Sequence, residues 1–137
     1  MENAKKFIHG INAIDGLHVM GEPDMAVYAY TFDEDIDLNF YTYVDLLENK
    51  GGWMINRMQN PPAAHHMTSR VHMSIVEEFL ADAQWAMDKI QTMPPGEEVK
   101  GEAAMYGMMG TFDDKGKIED LVRDILLKQY SYSPRRK

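Results

Sequence analysis

Three histidines lie close together in the sequence, and imidazole is the side chain that most often binds metal ions in proteins. They occupy positions 65, 66 and 72. Successive side chains on a β-strand point to opposite faces, so His65 and His66 on one strand cannot bind a single ion together. No carboxylate stands near them at the spacing of a metal ligand. The pattern favours ordinary hydrogen-bonded histidines, and we predict no metal site.

Two further motifs are also incomplete. The acidic residues from Asp33 to Asp37 lack the glycine-bearing loop and terminal glutamate of an EF-hand. Because acidic side chains stabilise helix N-termini, we interpret this run as a helix start. Gly107 and Gly110 are not followed by the Lys-Ser/Thr pair of a phosphate-binding loop.

Tyr106 is the candidate residue for chemistry. It lies in a loop from Ala103 to Met108 that is rich in methionine and glycine, rather than on an apolar stripe. A phenol can position a substrate or transfer a proton. A tyrosine that only packs is the alternative, and spacing alone leaves both open.

Composition limits the classes of function. The chain has 137 residues, which predicts a single domain over residues 1–137. It has no cysteine, which excludes disulfides, thiolate catalysis and cysteine-bound zinc. A formal charge of −8 argues against nucleic-acid binding, which needs a basic face. No signal-peptide pattern and no apolar run of about 20 residues occurs, so we expect a cytoplasmic protein without membrane insertion.

The stretch from Gly51 to His72 predicts the hairpin on which the helices pack. Two strands, at 53–59 and 63–69, are joined at Pro61-Pro62, because proline cannot sit inside a paired strand. Strands at 17–20 and 25–32 form a second hairpin around the turn that begins at Gly21. Both faces of the strand at 25–32 carry apolar residues, which indicates a central strand.

Apolar residues at helical spacing predict four helices, at Glu2–Asn12, Ile36–Lys50, Ser74–Thr92 and Lys117–Tyr130. Gly51-Gly52 is expected to end the second helix in the left-handed conformation. Ser74 and Glu77 match a capping box at the start of the third. Strand pairs that alternate with helices predict a two-layer α+β domain, with helices packed on a mostly antiparallel sheet.

Short motifs are spread along the chain from about residue 5 to 130, nearly its whole length. They are Gly16–Pro23 and the strand after it, Lys50–Asn56, Pro61-Pro62 with His65 and His72, and Ala104–Met108. In this order they resemble the C-terminal region of sphingosine-1-phosphate lyases, in the pyridoxal-phosphate (PLP)-dependent decarboxylase group. The final Met-Tyr-Gly-Met loop favours the lyases over glutamate or aromatic decarboxylases.

This resemblance implies the small C-terminal domain of a fold-type-I PLP enzyme. In the family, the large domain lies upstream and carries the Schiff-base lysine and the groups that hold the cofactor phosphate. None of the nine lysines here stands in a His-Lys motif of that kind. We therefore predict no cofactor-binding residue in this chain and no catalysis by the chain alone. Of the family's active-site residues only the loop tyrosine is matched, by Tyr106, as a catalytic residue.

Two classes of function remain. In the first, the chain is part of a PLP-dependent lyase that cleaves a phosphorylated long-chain amino alcohol, once a PLP-binding large domain or separate subunit completes it. In the second, it is a free-standing binding module without catalysis. Removal of a large domain is expected to expose an apolar surface around Met105–Met109 and around Phe7 and Ile11. We therefore also expect a homo-oligomer.

Overall fold

The fold is described from a computed structural model, which covers residues 2–94, 96–97, 99–106 and 115–130. The chain divides into two compact units, Met1–Gly107 and Met108–Lys137. The elements are α1 (Glu2–Asn12), β1 (Leu17–Val19), β2 (Val27–Phe32), α2 (Phe40–Gly51), β3 (Asn56–Gln59), β4 (Pro62–Met67), a 3-10 helix (Arg70–Ile75), α3 (Val76–Thr92) and α4 (Lys115–Tyr130).

The first unit contains a four-stranded antiparallel sheet in the order β1-β2-β4-β3. Both predicted hairpins form, and they join through β2 and β4, where Tyr28 pairs with His66. The central position predicted for the strand at 25–32 is confirmed. Pro62 is the first residue of β4. That position suits a residue without an N–H, so the proline corner sets where the strand begins.

An aromatic layer joins the sheet to the helices. Tyr30 and Phe32 on β2 pack edge-on against Phe40 and Tyr43 of α2, with ring centroids 5.0 to 6.3 Å apart. The alternate residues of β2 are only half-buried. Helix α3 contacts both α1 and α2, and these two helices contact the sheet. The predicted α+β fold, an antiparallel sheet with helices packed on it, is confirmed.

Helix α2 starts later than the acidic run indicated. Asn39 is the N-cap, and its side chain accepts a hydrogen bond from the Tyr41 N–H at 2.9 Å. The helix-start interpretation of residues 33–37 is therefore wrong, since a side-chain acceptor next to the first turn decides the boundary. Gly52 ends the helix at φ 69°, and its N–H donates to the Glu48 carbonyl oxygen, as predicted.

The predicted capping box at Ser74 does not form. The chain enters α3 through the 3-10 helix, and Ser69 begins that helix by donating its N–H to His72 Nδ1 at 2.9 Å. Strand β3 is also shorter than predicted, because pairing starts at Asn56. Trp53 lies outside the strand and donates from Nε1 to the Asp82 carboxylate.

Helix α1 packs into the core of the first unit. Phe7 and Ile11 are buried, and Phe7 contacts the ring of Phe79 edge-on at 5.5 Å. The expectation that these residues form an exposed surface is therefore wrong. Their apolar stripe is covered by α3 and β1 of the same unit. Met105 is exposed, while residues 107–109 lie outside the described residues.

The second unit contains α4, which confirms the predicted final helix. Within the described ranges, no helix combines the length and apolar character that crossing a bilayer requires. The single-domain organisation stays a prediction.

The core assignment predicts how two leucine substitutions differ. Leu47 is fully buried, whereas Leu38 is 42% exposed. Replacing Leu47 by alanine leaves a cavity and is expected to lower the free energy of unfolding by about 3 kcal/mol. The control Leu38→Ala should change it by about 0.5 kcal/mol or less. Urea unfolding followed by Trp53 and Trp85 fluorescence measures both; equal losses would contradict the assignment.

Candidate functional site

A buried arginine joins α2 to the sheet. Arg57 on β3 donates from Nη2 to Asp45 Oδ1 at 2.6 Å and to Glu48 Oε2 at 2.8 Å. Asp45 and Glu48 are three residues apart, which places them on one side of α2. Glu48 Oε1 also accepts from the Ile55 N–H at 2.9 Å, just before β3 begins. The helix and the edge strand are thus tied by charge-assisted hydrogen bonds.

The Arg57–Asp45 pair at the centre of this ion cluster is shielded from water. The side chain of Arg57 is 4% exposed and that of Asp45 is fully buried. Burial lowers the pKa of Arg57, but hydrogen bonds and charges from Glu48 and Asp45 outweigh burial, so the pKa is raised. Arg57 therefore stays charged, and Glu102 adds a third carboxylate at 3.5 Å from Nη1.

Asp45 also holds a distant segment of the chain. Its Oδ1 accepts from the Glu102 N–H at 3.0 Å, and its Oδ2 accepts from the Ala103 N–H at 2.8 Å. We call Asp45 with these two amides the Asp45 anchor, and residues 99–106 the Tyr106 segment. Asn49 donates to the carbonyl oxygen of Lys100 at 2.6 Å. Two side chains of α2 therefore fix the path of this segment.

Tyr106 lies at the end of the fixed segment. Residues 103–106 are helical, and the Tyr106 N–H donates to the Glu102 carbonyl oxygen at 3.1 Å. The Tyr106 ring lies 5.0 Å from the ring of Tyr41, and the Arg57 guanidinium lies 5.7 Å from its centroid, within cation–π range. Tyr106 is half-buried. The phenol is thus held by neighbours on the protein side and remains partly accessible.

Tyr41 completes the support of Tyr106. Its hydroxyl donates to the Met58 carbonyl oxygen on β3 at 2.7 Å. Burial raises the pKa of Tyr41, the neighbouring Tyr106 raises it further, and Arg57 opposes both. Tyr41 therefore stays neutral at physiological pH and acts as a hydrogen-bond donor.

Sequence reasoning singled out Tyr106 but missed Asp45, Arg57 and Tyr41. The signal for Asp45 was a charged residue between Val44 and Leu46, on the buried side of an amphipathic helix. A carboxylate in such a place needs a partner. That partner lies on a different element, so its identity could not be read from helix periodicity.

The three histidines line one pocket of about 290 Å³. Its floor includes the aromatic rings of Phe7, Trp53 and Phe79. Among the described residues, no group of three histidine, aspartate or glutamate side chains is arranged to hold a metal ion. Sequence reasoning did not predict that these imidazoles would share a pocket.

His66 is enclosed by aromatic rings. Tyr30 and Phe79 contact it edge-on, with centroids 5.2 and 5.1 Å away. Its Nδ1 lies 3.5 Å from the Tyr28 hydroxyl, while Nε2 is buried without a partner among the described residues. Burial, with smaller contributions from the charges of His65 and His72, lowers the pKa of His66 to about 4. His66 is therefore neutral at physiological pH.

The described lysine and arginine side chains bear on whether the chain could hold PLP. A PLP enzyme needs a lysine for the covalent step and groups that hold the phosphate. None of the described residues that line the histidine pocket is a lysine or an arginine. The lysines whose side chains are described are all exposed: Lys5, Lys6, Lys50, Lys89 and Lys100.

Comparison with known proteins gives a consistent result. A sphingosine-1-phosphate lyase of Oryza sativa is 34% identical over 126 residues, and one of Arabidopsis thaliana is 30% identical over 130 residues. These alignments cover 92% and 95% of the chain. The chain resembles sphingosine-1-phosphate lyases over nearly its full length. This confirms the resemblance predicted from the motifs, although no protein-family profile matches.

The similarity involves only part of each lyase. The chain spans 22% of the rice enzyme and 23% of the Arabidopsis enzyme. The solved sphingosine-1-phosphate lyase of Burkholderia pseudomallei K96243 has the same fold over 83% of the chain, with a TM-score of 0.59 and 23% identity. The chain corresponds to 24% of that structure, which is consistent with one domain of a larger enzyme.

The environment of His66 predicts a pH-dependent stability. Its pKa is about 4 in the folded chain and about 6.5 when unfolded, so the unfolded state binds the extra proton between these values. Stability should therefore fall as pH is lowered from about 6.5 to about 4, by up to about 3 kcal/mol.

Replacing His66 by phenylalanine should remove this part of the pH dependence, whereas His9→Asn, at an exposed site, should leave it unchanged. Urea unfolding at pH 6.5, 5 and 4 gives the comparison. A His66→Phe protein with the same slope as the unmodified chain would contradict the assignment.

Proposed function

We propose that the chain is the C-terminal part of a PLP-dependent carbon–carbon lyase of the sphingosine-1-phosphate lyase type. The observation that carries the proposal is 34% identity to the rice lyase over 92% of the chain. The fold shared with the Burkholderia enzyme supports it. On this proposal the substrate is a phosphorylated long-chain amino alcohol, and a large domain or separate subunit binds the PLP.

Tyr106 is the residue of this chain that we propose as catalytic. Its half-buried ring is supported by Tyr41 and Arg57, which leaves the phenol partly accessible. A phenol in that position can orient a substrate group or transfer a proton once the large domain supplies the rest of the site.

The chain alone is proposed to be inactive. When bound in the complete enzyme, PLP supplies the electron sink for carbon–carbon cleavage. The described residues here offer neither a buried lysine nor a basic pocket for its phosphate. The role of this chain is then to cover the site, orient the substrate and present Tyr106.

The isolated chain is expected to form no specific PLP adduct and to cleave no sphingoid phosphate. The lysines with described side chains lie on the surface, so none is activated by burial. PLP is added, borohydride reduces any imine, and mass spectrometry locates the product. Scattered labelling at low yield is expected. One stoichiometric adduct at a single lysine, together with turnover, would contradict the proposal.

A chimera tests the proposed function directly. The part of the rice lyase that matches this chain is replaced by the 137 residues, and PLP-dependent cleavage is measured. The chimera should be active, and Tyr106→Phe should lower kcat about 100-fold or more, because a positioned acid–base group contributes that much. Tyr28→Phe, on β2 beside His66, is the control and should retain activity. A chimera that binds PLP and substrate but is inactive would contradict the proposal.

A free-standing docking module is the second candidate. Met54 is 96% exposed and Met67 is 69% exposed, and both line the histidine pocket. Methionine-rich surfaces adapt to partner proteins. An upstream reading frame that encodes a PLP-binding large domain would favour the lyase. The absence of such a reading frame would favour the docking module.

Cytoplasmic localisation stays a prediction.

The exposed methionines predict self-association of the isolated chain. Light scattering over a dilution series should show dimers or larger species at high concentration, since contiguous apolar patches are rarely left uncovered. Met54→Gln with Met67→Gln should weaken association if the surface is at the pocket. Met105→Gln should weaken it if the surface is at the Tyr106 segment. A strict monomer at high concentration would exclude both surfaces.

A further inference from the structure

We infer that Asp45 is a positioning residue that acts through the Tyr106 segment to hold the Tyr106 phenol in place. This inference rests on the proposed catalytic role of Tyr106. Asp45 lies on α2 and has a fully buried side chain, so it cannot itself contact a substrate. Its effect must be transmitted through the groups that it binds.

The Asp45 anchor lies where a helical turn begins. Each carboxylate oxygen accepts one backbone N–H, from Glu102 and from Ala103, at the beginning of the helical turn 103–106. The first N–H groups of a helix have no partner within it, and a carboxylate is a strong acceptor for them. Asp45 therefore works as a helix cap supplied from another element.

The main chain at Gly101 lies very close to the Asp45 carboxylate. A Cβ atom built on Gly101 would lie 2.2 Å from the Asp45 carboxylate. No side chain other than the hydrogen of glycine fits at that distance. The main chain thus passes the carboxylate closely enough for both hydrogen bonds to form, and this approach depends on glycine.

Arg57 contacts both Asp45 and the Tyr106 ring. Arg57 binds the Asp45 carboxylate at 2.6 Å and lies 5.7 Å from the centroid of the Tyr106 ring. Asp45 therefore fixes the segment at Glu102 and Ala103, and the Tyr106 ring at its end lies beside Arg57, the arginine that Asp45 binds. A change at Asp45 should move Tyr106 more than it moves the rest of the fold.

The isolated chain gives the first test, by amide hydrogen exchange measured with NMR. Asp45→Asn keeps the shape of the side chain but replaces one acceptor oxygen by an NH₂ group, which cannot accept the amide. Exchange at Glu102 and Ala103 should become about tenfold faster or more, because a charge-assisted hydrogen bond is lost. Exchange in β2 should change far less. The Tyr106 ring resonances should shift in the same sample.

Glu48→Gln is the matched control. Glu48 binds the same arginine but makes no hydrogen bond to the Tyr106 segment in the described structure. Because both amides keep the Asp45 carboxylate as their acceptor, exchange at positions 102 and 103 should stay within about twofold of the unmodified chain. If Asp45→Asn does not fold, Gly101→Ala is used instead, because it forces the segment away from the carboxylate and changes no charge.

The active chimera gives the second test. Asp45→Asn should lower kcat about tenfold with little change in KM, as expected for a group needed in the transition state. Combined with Tyr106→Phe, it should add almost nothing, because both substitutions disable the same phenol. A residue that only stabilises the fold would instead add its full effect to that of Tyr106→Phe.

The outcomes separate the two proposals. Unchanged exchange at 102 and 103 in both Asp45→Asn and Gly101→Ala would overturn the inference about Asp45. Equal loosening by Glu48→Gln would also overturn it, since general loss of the ion cluster would then be the cause. Faster exchange without any effect of Tyr106→Phe on kcat would leave Asp45 as the anchor and refute the catalytic role of Tyr106.

Discussion

The buried ion pair between Arg57 and Asp45 is the interaction on which the rest of the candidate site depends. A guanidinium removed from water must be matched by acceptors, because an unpaired buried charge destabilises a fold by several kcal/mol. Asp45 and Glu48 on α2 provide them to Arg57 on β3. The remaining capacity of the Asp45 carboxylate then fixes the chain at Glu102 and Ala103. Helix, edge strand and Tyr106 segment thus share one electrostatic centre.

Two kinds of contact hold the elements of the first unit together, one between aromatic rings and one between charged groups. The aromatic layer of β2 and α2 buries large rings that contact one another mostly edge-on. The ion cluster at Arg57 is directional, since each bond requires a particular donor and acceptor. Stability therefore comes mainly from the first, while the position of the Tyr106 segment comes from the second. Tyr41 links the Tyr106 segment to the sheet, because its ring lies 5.0 Å from the Tyr106 ring and its hydroxyl donates to the β3 main chain.

Local patterns in the sequence were sufficient for most of the architecture. Three local signals each depend on a few neighbouring residues: the alternation in 25–32, the proline corner and the glycines after Lys50. The structure has the two predicted hairpins and the predicted end of α2 at these places. The start of α2 was predicted too early. Acidic residues interact favourably with the dipole at a helix start without fixing its position, whereas the Asn39 side chain accepts a hydrogen bond from one particular N–H, that of Tyr41. Phe7 and Ile11 were expected to be exposed, but α3 covers them. The Asp45 anchor joins Asp45 to two amides that lie 57 and 58 residues further along the chain. Helical or strand periodicity cannot predict a contact at that sequence separation.

The pairing of β2 with β4 has a consequence for any break in the chain. Each hairpin is local, but the sheet is completed only where the two inner strands meet, at pairs such as Tyr28 with His66. If a cut between Phe32 and Asn56 is followed by separation of the two pieces, each hairpin has an open edge of unpaired backbone groups. Such edges recruit strands from other molecules. The segment containing α2 is therefore the part of the chain whose continuity keeps both inner strands covered.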